Sequence, residues 1–146
     1  MLTKELIILD LKAKTKLEVI ESLANLALQN NKVNNAESFT KAVLAREAEY
    51  STGVGFQIAI PHGKDESILE PVLLYARVQD VDWQSMDGQP VKAVFMIGVP
   101  AQSEGQIHLQ ILAKLSRSLM KGEFRETLFK AQSKEEVLSL FQSLSL

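Results

Sequence analysis

Seven consecutive residues, Ala93-Val94-Phe95-Met96-Ile97-Gly98-Val99, carry no polar side chain, and Pro100 ends the run. A stretch this short and this apolar is the mark of a strand buried on both faces. Such a strand obliges the rest of the chain to supply covering layers for two sides of a sheet. The flanking sequence has the helices to do so. From Lys16 to about Asn30, Leu17, Ile20, Leu23, Ala24, Ala27 and Leu28 recur at helical spacing. A second helix is expected from about Asn35, with Phe39, Ala42 and Val43 inward and Arg46 one turn further on, ending near Tyr50.

Past Pro100, a helix from about Gln106 turns Ile111, Leu112, Leu115 and Leu119 inward, with His108 in its first turn. Gly122 marks a break, Glu123 to Ala131 reads as a short helix, and Lys134 to Leu144 as a last amphipathic one. Further strands are expected at Leu6-Ile7-Ile8-Leu9, at Phe56 to Ile60, where Phe56, Ile58 and Ile60 alternate with Gln57 and Ala59, and at Val72 to Ala76. Pro61 is expected to terminate the second of these. Ser51 to Gly55 reads as a turn, and Gln79 to Pro90 as a polar loop holding Trp83. The sum is an α/β chain: one domain over residues 1–146, a mixed β-sheet with helices on both faces.

Composition narrows the chemistry. There is no cysteine, so neither a disulfide nor a thiolate metal site is available, and any thiol chemistry must occur on another protein. Sixteen basic and eighteen acidic residues show no basic stripe, which argues against a nucleic-acid partner. The apolar stretch at Leu6 to Leu9 is too short for a signal peptide or membrane span, so the expected location is the cytoplasm. Two histidines with no His-x-x-x-His pair make no zinc motif. Asp65 and Glu66 follow His62 closely, but acidic residues in a polar loop are ordinarily solvated. No Gly-x-Ser-x-Gly elbow and no P-loop ending are present.

His62 stands between Pro61 and Gly63, directly after a strand in this reading. Proline cannot extend the strand, and glycine leaves the backbone open to close approach. Strand ends on an α/β sheet favour sites, and an imidazole with an unperturbed pKa of about 6.5 keeps a neutral, nucleophilic fraction near pH 7. Taken alone, such a histidine is ordinarily a turn residue without a role. His108, near a helix start, is by itself ordinarily a core-edge histidine, although a helix N-terminus favours anions. Arg46 is ordinarily a helix C-terminal charge, although its planar fork suits a phosphoryl group. Thr52-Gly53-Val54-Gly55 could turn backbone N–H groups to an anion, on weak evidence.

The ordered string Arg46-Glu47, Ser51-Thr52-Gly53-Val54-Gly55 and Ile58-Ala59-Ile60-Pro61-His62-Gly63 resembles the phosphorylation-site signature of fructose/mannitol-type enzyme IIA domains of the bacterial phosphoenolpyruvate-dependent sugar phosphotransferase system. The likeness continues through Asp87-Gly88-Gln89-Pro90-Val91, Val94 to Pro100, His108-Leu109 and Glu123-Phe124-Arg125, covering nearly the whole chain. The resemblance implies that His62 carries the phosphoryl group, through Nε2, that His108 is the second active-site histidine, and that Arg46 flanks the group. Gly53, Gly55 and Gly63 would belong to the group's surroundings. The implied donor is the histidine phosphocarrier protein and the implied acceptor a cysteine of a IIB domain, with fructose the implied sugar. No cofactor is implied, and the membrane would be met only through the permease. A regulatory IIA of the nitrogen-related branch shares the Pro-His-Gly motif and is the alternative. Phe56-Gln57 depart from the pattern, standing where small or polar residues such as Asn-Gly are commoner.

Overall fold

The computed structural model describes residues 1–103 and 106–144, with the side chains of Ile107 and His108 outside the described set. A 3-10 turn at Lys4–Leu6 leads into β1 (Ile7–Ile8), followed by α1 (Lys16–Gln29) and α2 (Ala36–Glu49). Then come β2 (Gly53–Gly55), β3 (Ile58–Ala59), β4 (His62–Asp65), β5 (Val72–Val81) and β6 (Val91–Pro100). Three helices close the chain: α3 (Ile107–Leu119), α4 (Gly122–Lys130) and α5 (Lys134–Gln142). Local chemistry sets several of the starts. Thr15, Asn35 and Ser133 each accept a hydrogen bond from the backbone N–H three residues on, at Glu18, Ser38 and Glu136.

The sheet is mixed and six-stranded, in the order β1-β5-β6-β3-β2, with β4 also paired to β6. Strand β6 runs antiparallel to β5 and parallel to both β3 and β4. Residues 94–99 are all buried, as the apolar run requires. Alternation along β6 shows what covers each face. A side chain at Gly98 would meet the ring of Phe39 from α2, its Cβ falling 2.8 Å from Cζ. Phe95, on the opposite face, packs its ring against Phe141 of α5, centroids 5.2 Å apart, and against Tyr75 at 4.9 Å. Helices therefore lie on both faces, α1 and α2 on one and α5 on the other. No described helix is long and apolar enough to cross a membrane.

Around Pro61 the structure corrects the expected boundaries. Gly53–Gly55 is a strand rather than a turn, pairing antiparallel with β3. The turn follows directly, at Phe56 and Gln57, which take φ of 58° and 65°. Positive φ at both central positions is what a two-residue hairpin with the sheet's twist demands. The apolar alternation at 56, 58 and 60 thus misled, because Phe56 sits exposed at the hairpin tip with its ring under the Arg125 guanidinium, 3.9 Å away. Pro61 interrupts the edge rather than ending it. Its carbonyl accepts from Ile97 N at 3.0 Å, and the chain resumes beside β6 as β4, so His62 opens a strand instead of occupying a loop.

The remaining differences have the same origin in tertiary packing. Strand β5 continues to Val81, well past Ala76, and Trp83 is fully buried instead of sitting in a solvent loop. On α1, Val19 joins the buried stripe while Leu17 and Leu28 stay exposed. Ala42 on α2 is only half-buried, and Glu47 is buried where a polar residue was not expected.

Candidate functional site

His62 is held by the strand that carries it. Paired with Ile97 of β6, its backbone cannot rotate freely, and the ring is tied back onto the preceding residues. Nδ1 lies 3.0 Å from the carbonyl oxygen of Ile60. A carbonyl oxygen only accepts, so Nδ1 carries the proton, and in the neutral ring the lone pair belongs to Nε2. The tautomer that Nε2 chemistry requires is therefore set by a backbone group.

Gly63 makes room for a helix. A Cβ there would stand 3.1 Å from both Val43 Cγ2 and Val43 N, so a bare backbone at this position lets α2 lie close on β4. That contact brings the end of α2 to His62. Ala42, Arg46, His62, Gly63 and Lys64 line one open pocket of about 250 Å³. Arg46 Nη1 donates to the Tyr50 carbonyl at 2.8 Å, and its guanidinium carbon lies 4.3 Å from the centre of the Tyr50 ring.

The structure thus brings together Arg46, His62 and Gly63 of the sequence candidates. His108 is the second residue of α3, and its side chain lies outside the described residues, so its distance from His62 is not part of the geometry. The loop leading toward α3 is nevertheless tied to β4: Ala101 N donates to the Asp65 carbonyl at 3.1 Å, and Lys64 Nζ to the Ser103 carbonyl at 3.3 Å. Gly53 and Gly55 belong to the β2–β3 hairpin and do not line the pocket. Gly53 packs against Ser85 with no space for a Cβ, and its N–H donates to Ser51 Oγ at 3.0 Å. Gly55 needs its φ of +92° to enter the turn.

Two features were missed from sequence. Lys64 puts a second cation on the pocket, and its place two residues after His62 on a strand was the available signal. The other is a buried polar knot centred on Glu47. That residue falls on the same α2 stripe as Thr40 and Val43, where a carboxylate is rarely buried unless paired. Asp65 is no free ligand either. Burial pushes its carboxyl pKa up, but hydrogen bonds from Ser67 and Ser38 outweigh burial and hold it below the ordinary range. Among the described residues no group of three His, Cys, Asp or Glu side chains is arranged to hold a metal ion.

A histidine whose Nδ1 is tied to a backbone carbonyl, sharing a pocket with two cations, suits phosphoryl chemistry, and residues 1–144 match the family model for the phosphoenolpyruvate-dependent sugar phosphotransferase system, EIIA 2. The chain belongs to that family. It is accordingly a phosphotransferase component of a sugar transport system. The EIIA chain is 45% identical over 134 residues to the fructose-specific EIIA component of Haloferax volcanii, spanning 91% of this chain and 86% of that protein. Its fold matches the nitrogen regulatory protein IIA-Ntr from Neisseria meningitidis with a TM-score of 0.87, at 29% identity and 94% coverage of both chains. It also matches an Escherichia coli enzyme IIA for mannitol solved in complex with phosphorylated enzyme IIB. The TM-score there is 0.83, at 25% identity and 98% coverage of both chains.

Proposed function

We propose that this EIIA chain accepts a phosphoryl group on His62 Nε2 from the histidine phosphocarrier protein and passes it to a cysteine of a IIB partner. The observation that carries this reading is the 3.0 Å contact of His62 Nδ1 with the Ile60 carbonyl. It holds the proton on Nδ1, so that Nε2 is the basic nitrogen of the neutral ring and the one that attacks phosphorus in line. As the new N–P bond forms, the electrons of the donor's N–P bond return to the donor imidazole, whose other ring nitrogen carries a proton, so that it leaves neutral. The His62 ring becomes cationic, and the Ile60 carbonyl dipole stabilises the Nδ1 proton it then keeps. Arg46 and Lys64 offset the negative charge of the transferring group, Arg46 through a fork and Lys64 as a point charge. His108, by family likeness, adds a further hydrogen bond.

In the next step a thiolate attacks the phosphorus, and the N–P electrons return to Nε2. The chain has no cysteine, so that sulfur must come from a partner, and a mannitol IIA of this fold has been solved bound to phosphorylated IIB. Fructose is the sugar favoured by the 45% identical fructose-specific relative, and the cytoplasm is the compartment such a relay would work in. The nitrogen regulatory protein shares the fold at the lower identity of 29%, so likeness favours transport over regulation. A phosphorylated sample of the chain mixed with a fructose IIB domain tests this: phosphocysteine should form on IIB as the label leaves the EIIA chain. Label that stays put with every sugar-branch IIB domain would argue for a regulatory role.

A further inference from the structure

Behind the pocket, on the same last turn of α2 as Arg46, the side chain of Glu47 is only 4% exposed and is surrounded by donors. Its Oε2 accepts from Lys16 Nζ at 3.0 Å and its Oε1 from Trp83 Nε1 at 3.1 Å. Both oxygens lie 3.3 Å from Thr52 N, and Thr52 Oγ1 donates to Oε1 as well. Lys16 begins α1, Thr52 precedes β2, and Trp83 lies in the connection from β5 to β6. One carboxylate therefore ties three separate segments to the end of α2. A buried charge so fully satisfied is costly to disturb, since each donor left behind would be unpaired.

The fixed point that matters is Thr52. Arg46 is oriented by the carbonyl and ring of Tyr50, with the exposed Glu49 carboxylate 3.9 Å from its Nε, and Tyr50 is itself 71% exposed and outside the buried core. The Tyr50 backbone is held by α2 on one side and on the other by Ser51, whose Oγ donates to the Trp83 carbonyl at 2.5 Å. Thr52 adds to that hold: its carbonyl accepts from Ile60 N at 3.0 Å, while Glu47 clamps its N–H and hydroxyl. We propose that Glu47 is a positioning residue for phosphoryl transfer: by pinning Thr52 it sets the Tyr50 carbonyl, and through it the Arg46 guanidinium, at the His62 pocket. Glu47 touches no phosphoryl group itself. The proposal rests on the carrier reading above.

The test is a double-mutant cycle on the full chain, reading phosphoryl acceptance from phosphorylated phosphocarrier protein by rapid quench. Glu47→Gln keeps the shape but cannot accept from all the donors. It should lower the saturating transfer rate about tenfold while the half-saturating donor concentration moves less than about twofold. In an Arg46→Ala background the same change should cost less than about twofold, because the residue it positions is gone. An equal loss in both backgrounds would show that Glu47 only supports the fold, and no loss beside intact Arg46 would show that it positions nothing. Far-ultraviolet circular dichroism reports whether each variant is folded. Should Glu47→Gln unfold, Trp83→Phe removes one donor and should give the same background-dependent pattern more weakly. The Arg46 Nε–H resonance supplies a readout independent of transfer. It should shift or broaden in Glu47→Gln, and an unchanged resonance overturns the proposal. A wild-type chain that takes no label would sink the carrier reading instead, with the Arg46 resonance still judging the positioning.

Discussion

The ring of His62 and the carbonyl of Ile60, two residues apart across Pro61, lie 3.0 Å from each other at Nδ1. Proline has no N–H and cannot continue the ladder, so the chain bends there and turns the Ile60 carbonyl to the imidazole. The proton on Nδ1 follows from that bend. The phosphorylated chain should therefore carry its N–P bond at Nε2 alone. Nitrogen-15 spectra of labelled histidine would reveal it by phosphorus coupling to that nitrogen, and coupling at Nδ1 would be incompatible with the geometry.

Gly63→Ala should harm both stability and transfer, since the added methyl meets Val43 N at 3.1 Å, a backbone atom that cannot rotate aside. Overpacking of this kind costs about 1–3 kcal/mol. The helix that must move carries Arg46, so phosphoryl acceptance should fall along with the midpoint of urea unfolding. A variant as stable as the wild type would mean that α2 is free to shift away from β4.

Tyr75→Phe should be neutral or stabilising, against the usual trend for core changes. The Tyr75 hydroxyl is buried with no hydrogen-bond partner among the described residues, and burial pushes its pKa up. Removing an unsatisfied buried group relieves a penalty of about 1–3 kcal/mol, while the ring keeps its contacts with Phe95 and Phe141. Chemical denaturation decides the matter, and a clear loss of stability would point to a partner for the hydroxyl.

Asp65→Asn should destabilise the chain at neutral pH and matter progressively less in acid. The folded carboxyl titrates below its unfolded value of about 3.9, so its contribution is present above that pH and is lost as the pH falls through the folded value. The gap between the unfolding free energies of the two forms should be smaller at pH 3 than at pH 7. A constant gap would mean that the charge on Asp65 is not what Ser38 and Ser67 stabilise.

Much of the fold was legible because apolar period and burial agree along β6 and most of α1 to α5. Legibility failed where local chemistry and packing compete. Phe56 and Gln57 read as strand by hydrophobicity, yet the hairpin needs two left-handed residues there, and the expected Asn-Gly signal is absent. Trp83 read as loop because its neighbours are polar, while its indole N–H is satisfied by Glu47 and Thr52, partners 36 and 31 residues away. His62 and Gly63 were singled out from their motif, and they line one pocket with Arg46. What Gly63 accommodates was not legible, because close approach by α2 and close approach by a ligand leave the same mark in a sequence.

Mass measurement of the intact chain after incubation with phosphoenolpyruvate, enzyme I and the phosphocarrier protein bears most directly on His62 as the carrier. Wild type should gain a single phosphoryl group, labile in acid and stable in alkali as a phosphoramidate is. His62→Gln should gain none while keeping the wild-type fold, and His108→Ala should still be labelled, more slowly. Undiminished labelling of folded His62→Gln would contradict the assignment and move the phosphoryl group to another residue.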